Sequence, residues 1–401
     1  MLLKSQISEA FERQQTQFQN KILGLERSIL NSINITLGEI IIVTGARRVG
    51  KSTLLKQLAG KVETIAFVNF EDPLLFGFEL SDFGKLDEVM GEQAELLYLF
   101  DEVQVIDQWE IFVRNLHDRQ KQMVITGSNA SLLSKELGTR LTGRHHTVEL
   151  FPFSYHEYCT FLNLISSTNT FKTYLETGGF PQYVKNQSTE YLNQLLLDIL
   201  NRDIAIRYGV RNTETLIALV LFMITNIGKS YTINGLKKTF NIGSTNSVAD
   251  YLSWFEDSYL IFTIQKFSWS IKSRFVSPKK CYAIDTGFVR ANSLSHSEDL
   301  GRLLENAIFL YLRRKYKTVF YFKEKKECDF VIPQKDQTYL LIQVCYELHV
   351  DNKDREINGL LEALQFFDQK EGFIITMDQK DELKIDEYTI KLIPAHEWMQ
   401  E

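Results

Sequence analysis

A short apolar run that enters a glycine-bearing loop constrains this chain more than any other feature of its sequence. Residues 40–44 read Ile-Ile-Ile-Val-Thr and lead into the pattern G-x-x-x-x-G-K-S. A strand that reaches a helix through such a loop forms a phosphate cradle lined by backbone N–H groups. The pattern predicts binding of a nucleoside triphosphate by the following residues: Gly45, Ala46, Arg47, Arg48, Val49, Gly50, Lys51, Ser52 and Thr53.

Four side chains are assigned to the phosphates, the metal ion and the attacking water. Lys51 supplies a positive charge for the β- and γ-phosphates, and the Ser52 hydroxyl is a ligand for Mg²⁺. A second apolar run, residues 96–100, ends in Asp101 and Glu102, as a buried parallel strand that reaches a site would. We expect Asp101 to hold Mg²⁺ through a water molecule and Glu102 to polarise the attacking water. The sequence therefore indicates hydrolysis as well as binding.

Strand and helix patterns alternate through the first 150 residues, which predicts a mostly parallel α/β sheet with its ligand at the carboxyl ends of the strands. Ser128 and Asn129 follow the fourth candidate strand, where they either sense the γ-phosphate or only form a turn. Arg140 and Arg144 either supply charge to the transferring phosphoryl group or are solvated, with Arg144 the better candidate. The candidate strands are residues 39–44, 64–70, 96–101, 122–126 and 146–150.

Bulk composition excludes several classes of protein. The net charge of −6 means that any contact with nucleic acid requires a local basic surface. No apolar run approaches the roughly 18 residues that span a bilayer, and the first 20 residues do not resemble a signal peptide. The four cysteines are far apart, so neither a disulfide framework nor a zinc site is indicated. We expect a cytoplasmic protein with no membrane contact.

Four domains are predicted along the chain. Residues 1–152 form a P-loop core with an amino-terminal helix, 153–212 a helical lid, 213–298 a winged helix-turn-helix, and 299–401 a further α/β domain. Between residues 229 and 280, eight Lys and Arg stand against three Asp and Glu. This local excess of positive charge favours contact with DNA. Winged helices also dock proteins, so both kinds of partner stay open.

Taken together, these motifs resemble a large prokaryotic family of ATP-binding proteins, in which an AAA-like P-loop ATPase domain precedes a domain of unknown function. The resemblance implies ATP as the nucleotide, Mg²⁺ as the cofactor and a restriction-endonuclease-like fold for the last domain. An arginine that acts across subunits would in addition require a homo-oligomer. The matching stretches are residues 45–53, 99–104, 126–129, 143–144, 178–181 and 328–332.

The resemblance fails at the nuclease site. A nuclease of that fold uses a Glu on the first helix, an Asp, and a Glu-x-Lys strand. Glu305 and Asp329 match, but Gln343 and Cys345 stand where the Glu and Lys belong. A neutral amide is a poor substitute for a carboxylate on Mg²⁺, and a cysteine cannot supply the ammonium that stabilises the pentavalent phosphate. A degenerate site is therefore predicted, unless Glu347 replaces the missing carboxylate.

Three functions follow from these predictions. The first is an ATP-dependent switch in which Mg²⁺-ATP hydrolysis repositions the winged helix and the last domain on DNA or on a protein. An ATP-gated nuclease is the second, and the third is a nucleotide-binding interaction module without turnover.

Overall fold

The computed structural model describes residues 1–19, 23–35, 38–91, 95–128, 145–210, 212–294 and 299–400. The chain divides into two compact units, Met1–Leu150 and Phe151–Glu401. Within the described ranges, no helix has both the length and the apolar character that crossing a membrane requires. The finer division into four domains stays a prediction.

The first unit is built on a five-stranded sheet. Its strands are β1 (Ile40–Thr44), β2 (Ile65–Asn69), β3 (Leu97–Asp101), β4 (Gln122–Gly127) and β5 (His145–Glu149). They pair in the order β2-β3-β4-β1-β5, and every pair is parallel, which confirms the predicted parallel α/β sheet. Every residue of β1 and β3 is buried, because helices cover both faces of such a sheet. The helices are α1 (Lys4–Gln19), α2 (Lys51–Ala59), α3 (Phe83–Met90) and α4 (Trp109–Asp118).

Side chains of helix α1 form hydrogen bonds with the backbone of the edge strand β2. Strand β2 lies at the edge, so its outer N–H and C=O groups need partners. The Gln14 side chain accepts a 2.7 Å hydrogen bond from the Asn69 amide and donates a 3.3 Å bond to the Asn69 carbonyl. Gln15 exchanges the same pair of bonds with Phe67. Two adjacent glutamines therefore take the place of a sixth strand.

The second unit combines a helical region with a mixed nine-stranded sheet. Its helices are α5 (Tyr155–Leu162), α6 (Thr168–Thr177), α7 (Pro181–Asn186), α8 (Thr189–Asp198, continued by a π-helix over Ile199–Ile206), α9 (Thr213–Thr225), α10 (Ile233–Thr239), α11 (Thr245–Asp257), α12 (Ile271–Val276), α13 (Thr286–Asn292), α14 (Leu300–Lys315), α15 (Val350–Phe366) and α16 (Ala395–Trp398). Its strands are β6 (Ser230–Tyr231), β7 (Ile261–Lys266), β8 (Lys279–Ala283), β9 (Phe320–Lys323), β10 (Glu327–Pro333), β11 (Tyr339–Val344), β12 (Glu371–Thr376), β13 (Asp381–Ile385) and β14 (Tyr388–Pro394).

The predicted wing is continuous with the last domain. Strands β7 and β8 form an antiparallel pair, and β7 also pairs in parallel with β9, so one sheet runs in the order β13-β14-β12-β11-β10-β9-β7-β8-β6. Strand β8 starts at Lys279, because residues before it form the short helix α12. The winged helix-turn-helix and the restriction-endonuclease-like fold themselves stay predictions.

A close backbone approach explains the Gly-Gly pair that the sequence places between two helices. A Cβ atom on Gly179 would lie 2.2 Å from the carbonyl oxygen of Phe153. The Gly179 amide donates a 2.6 Å hydrogen bond to the Asp285 carboxylate. Asp285 also caps the first turn of α13 through the Phe288 amide at 2.9 Å. The glycine pair therefore serves packing within the second unit.

Asp285 gives this unit a pH-dependent stability. Burial raises the pKa of Asp285 to about 6, although three backbone N–H donors and the charge of Arg314 oppose the shift. The folded chain therefore holds a proton that the unfolded chain has lost between about pH 4 and pH 6, so stability from this group falls as the pH rises. We therefore compare the free energy of unfolding of Asp285→Asn with that of the original chain. The difference should shift in favour of Asp285→Asn by up to about 3 kcal/mol as the pH rises from 4 to 7. Urea unfolding of both proteins at the two pH values measures this gain, and a pH-independent difference would contradict it.

Candidate nucleotide-binding site

The loop between β1 and α2 is held from two sides. A Cβ atom on Gly45 would lie 2.2 Å from the Leu150 carbonyl oxygen, so only glycine fits at this point. On the other side, the buried Arg27 donates from Nη1 to the Val49 carbonyl at 2.9 Å. No local motif identified Arg27, because its role depends on a contact across 22 residues. Both contacts keep the loop backbone in a fixed path.

The four side chains assigned to phosphate, metal and water meet at the carboxyl edge of the sheet. Lys51 Nζ donates to the carbonyls of Gly45 and Ala46 at 3.1 and 3.2 Å and lies 3.5 Å from Glu102 Oε1. Ser52 Oγ donates to Asp101 Oδ2 at 2.7 Å. The structure therefore brings together groups that are 50 residues apart in the chain.

Two further residues hold these carboxylates in place. The Thr126 hydroxyl at the end of β4 donates to Asp101 Oδ1 and accepts a 3.2 Å hydrogen bond from the Glu102 amide. Gln104 Nε2 donates to Glu102 Oε2 at 2.5 Å. Neither residue was a predicted site residue. Thr126 lies one strand away from its partners, and only the sheet order reveals the contact.

The two adjacent carboxyls have opposite pKa shifts. Burial, together with the charge of Glu102, raises the pKa of Asp101. Burial also opposes the ionisation of Glu102, but the ammonium of Lys51 and the hydrogen bond from Gln104 lower the pKa of Glu102 below its usual value. Lys51 and Gln104 therefore stabilise the negative charge of Glu102, as a group that orients water requires.

Ser128 is a buried polar residue at this edge whose hydroxyl has no partner among the described residues. It follows Gly127 of β4, which is paired with Thr44 immediately before the phosphate loop. Its side chain is 2% exposed, and within the described part of the chain its Oγ makes no hydrogen bond. A buried hydroxyl without a partner is costly, which points to a ligand in this position. The other predicted groups beyond β4, which are Asn129, Arg140 and Arg144, lie outside the described residues.

The remaining loop residues are divided between core and surface. Ala46 and Val49 are fully buried, and Arg47 lies 3.2 Å from Glu71 in an ion pair. The side chain of Arg48 is exposed, while Thr53 is half-buried on the first turn of α2.

The donor atoms at the site suit Mg²⁺. A hydroxyl and a carboxylate, from Ser52 and Asp101, are hard oxygen ligands, and Mg²⁺ is usually held by one or two such groups together with substrate phosphates and water. Ser52 is exposed, so it can reach a ligand. Among the described residues, no cluster of three or more His, Cys, Asp or Glu is arranged to hold a metal ion without such help.

The predicted degenerate nuclease site includes a lysine that the sequence analysis did not assign to it. Glu305 on α14 and Asp329 on β10 both contact Lys280 of β8, at 3.1 and 3.0 Å from its Nζ atom. Gln343 accepts a 3.2 Å hydrogen bond from the Asp329 amide and donates to Glu356 at 2.6 Å. The structure therefore supplies an ammonium group that the last domain lacks, and it comes from the predicted wing.

The other two residues considered for that site do not join it. Strand β11 ends at Val344, so Cys345 and Glu347 lie beyond its end. Cys345 is buried, and burial with the nearby Glu356 raises the pKa of its thiol to about 11. The side chain of Glu347 is exposed, and its role as a replacement carboxylate stays a prediction.

Fewer basic side chains are available to a partner than the sequence between residues 229 and 280 suggests. Lys280 is 2% exposed and held by carboxylates. Lys266 pairs with Glu324 at 2.9 Å. The guanidinium of Arg274 lies 5.3 and 5.0 Å from the ring centroids of two phenylalanines. Three of the eight basic side chains are therefore engaged within the second unit.

Family models cover most of the chain. Residues 38–159 match a model described as AAA domain. Residues 168–299 and 300–398 match two models, each described as a domain of unknown function (DUF8612 and DUF4143). The parallel sheet, the loop and the first of these matches define the first unit as an AAA-type P-loop NTPase domain.

Two relatives match this chain over most of their length. The uncharacterized protein MJ1544 of Methanocaldococcus jannaschii is 33% identical over 91% of this chain and 89% of its own length. An uncharacterized protein of Haemophilus influenzae is 28% identical over 90% and 94%. The chain belongs to this family, in which an AAA domain precedes domains of unknown function. Among solved structures, AMPPCP-bound DnaA from Aquifex aeolicus has 16% identity and a TM-score of 0.30, covering 60% of this chain and 90% of that chain.

Proposed function

We propose that this chain binds Mg²⁺-ATP and hydrolyses it, and that turnover acts as a conformational switch for the binding of a partner by the second unit. One observation carries the proposal: Lys51, Ser52, Asp101 and Glu102 meet at one sheet edge, in contacts of 2.7 to 3.5 Å. The unpaired hydroxyl of Ser128 and the AAA family match support it.

Lys51 connects binding to catalysis in this proposal. Its ammonium is shared between two loop carbonyls and Glu102, and only 5% of its side chain is exposed. Phosphate oxygens are stronger acceptors for an ammonium than neutral carbonyls. A triphosphate therefore competes with Glu102 for Lys51, and Glu102 becomes available to orient water and accept its proton. Mg²⁺, when held by Ser52 and Asp101, neutralises charge on the phosphates.

Loss of the Lys51 ammonium should weaken nucleotide binding and stop turnover. We expect Lys51→Ala to weaken ATP affinity by about 10- to 100-fold, because hydrogen bonds to a charged group contribute about 1.5–3 kcal/mol. Phosphate release by the purified protein should fall to background. Fluorescent-nucleotide titration and a phosphate-release assay measure the two effects. Lys4→Ala is the matched control, because Lys4 is an exposed lysine paired only with Glu88 in the described part of the same unit. Equal turnover in the two variants would overturn the proposal.

The partner that we propose is a protein. The basic surface expected to contact DNA is partly engaged, whereas α12 has no buried residue and the segment around it exposes Trp269, Ile271, Phe275 and Val276 by 66 to 74%. Clustered apolar side chains of this size are typical of protein-binding surfaces. Fluorescence anisotropy with labelled duplex DNA tests whether the partner is a protein or DNA. Tight binding that weakens steeply between 50 and 200 mM salt would favour DNA instead.

A further inference from the structure

Lys280 is a buried cation surrounded by three carboxylates. Its side chain is 2% exposed, and its Nζ atom lies 3.1 Å from Glu305 Oε1, 2.8 Å from Glu327 Oε1 and 3.0 Å from Asp329 Oδ1. An ammonium has three N–H donors, so the three carboxylates use all of them. Tyr282 donates a further hydrogen bond to Glu305 at 2.7 Å. We call these five residues the Lys280 cluster.

The carboxylate oxygens converge on one point, as they would around a metal ion. Oxygen ligands lie 2.3–2.6 Å from Ca²⁺ and 2.0–2.1 Å from Mg²⁺. The oxygens around Nζ lie at 2.8 to 3.1 Å. Shifts of roughly 0.2–0.8 Å would therefore bring the same three groups onto a cation of the size of Ca²⁺. The ammonium holds them slightly too far apart for a metal.

The charge balance of the cluster depends on Lys280. Burial opposes a charge on Lys280, but Glu305 and Asp329 raise its pKa well above the usual value. Burial raises the pKa of Glu305 to about 7 even with the ammonium beside it. Lys323 also pairs with Glu327, at 2.9 Å, but it is half exposed. Without Lys280, the buried carboxylates Glu305 and Asp329 would have no cation in contact among the described residues.

The cluster also connects separate parts of the second unit. Lys280 and Tyr282 lie on β8, whereas Glu305 lies on α14, and Glu327 and Asp329 lie on β10. In the sheet, β7 and β9 separate β8 from β10. The ion pairs therefore span two intervening strands, in addition to the backbone pairing of β7 with β9.

We propose that the Lys280 ammonium is the resident cation of a carboxylate site that would otherwise bind a divalent metal, and that it clamps the β7–β8 hairpin to α14 and β10. The last domain of the chain then serves as a scaffold for the preceding segment rather than as a metal-dependent nuclease. This inference does not depend on ATP turnover, and its tests contain no nucleotide.

The test compares two replacements of Lys280 in the full chain. All proteins carry Ser52→Ala and Asp101→Asn, which remove both proposed metal ligands in the first unit. Lys280→Ala opens the space at the centre of the cluster, whereas Lys280→Met fills the same space without charge. We expect both to lower the Tm by about 6–20 °C, because removal of one partner from a buried ion pair is strongly destabilising. Mn²⁺ or Ca²⁺ should restore the Tm of Lys280→Ala alone.

Metal stoichiometry gives the decisive readout. Titration followed by the electron paramagnetic resonance of Mn²⁺ should find one bound ion per chain in Lys280→Ala, and none in Lys280→Met or in the protein that retains Lys280. Addition of Asp329→Asn to Lys280→Ala should remove that ion. If Lys280→Ala does not fold, a second comparison applies. The variant that combines Lys280→Met with Asp329→Asn should have a higher Tm than Lys280→Met alone, because it lacks one of the carboxylates that Lys280 no longer neutralises. Bound Mn²⁺ with Lys280 in place, or Tm values unchanged by loss of Lys280, would overturn the inference.

Discussion

Replacement of Glu102 with glutamine is expected to lower phosphate release by about 10²–10⁴-fold while ATP stays bound, since this is the range that positioned general bases contribute. The pKa of Glu102 is below its usual value, because Lys51 and Gln104 stabilise its negative charge against the effect of burial. Glutamine has nearly the same shape but cannot accept a proton from water. It also no longer competes for Lys51, so ATP affinity should be equal to or tighter than that of the original chain.

Single-turnover phosphate release and equilibrium binding of a fluorescent ATP analogue separate the two effects. Glu95→Gln is the matched control, since it makes the same chemical change at an exposed position of the first unit. Turnover within a few-fold of the control would exclude Glu102 as the catalytic carboxylate. Loss of binding together with turnover would instead indicate that Glu102 supports the fold of the site.

Replacement of Gly179 with alanine is expected to destabilise the second unit by about 2–4 kcal/mol, because the added methyl group must displace backbone atoms. Its Cβ atom would lie 2.2 Å from the Phe153 carbonyl oxygen and 2.8 Å from the Phe153 amide nitrogen. The Gly179 amide would then also move away from Asp285, which it contacts at 2.6 Å. The Tm of the full chain, followed by circular dichroism, should fall by about 4–16 °C.

Gly243→Ala provides the control for this prediction. Gly243 lies in the same unit, and a Cβ atom there would meet nothing within 4 Å. Its Tm should stay within about 2 °C of the original chain, as surface substitutions usually change stability by less than about 0.5 kcal/mol. A similar Tm for the two alanine variants would show that the backbone near Phe153 adapts without cost.

Local patterns were sufficient for the nucleotide site. The strand before Gly45 and the strand that ends at Asp101 are each five-residue apolar runs, and both were placed to within one residue. Parallel strands end at a common edge, so two motifs 50 residues apart could be predicted to meet. Thr126 and Arg27 could not, because nothing local to a threonine or an arginine shows which carboxylate or carbonyl it will reach.

Contacts between distant parts of the chain became evident only in the tertiary structure. The sequence analysis counted Lys280 among the basic residues that favour contact with DNA, and the fold buries it among carboxylates of the last domain. The physical reason is the range of the interactions. Strands, loops and caps arise from contacts between neighbours in the chain, and residue type encodes them directly. An edge strand completed by Gln14 and Gln15, or a cation shared by Glu305 and Asp329, arises from long-range pairing, which depends on how whole elements pack.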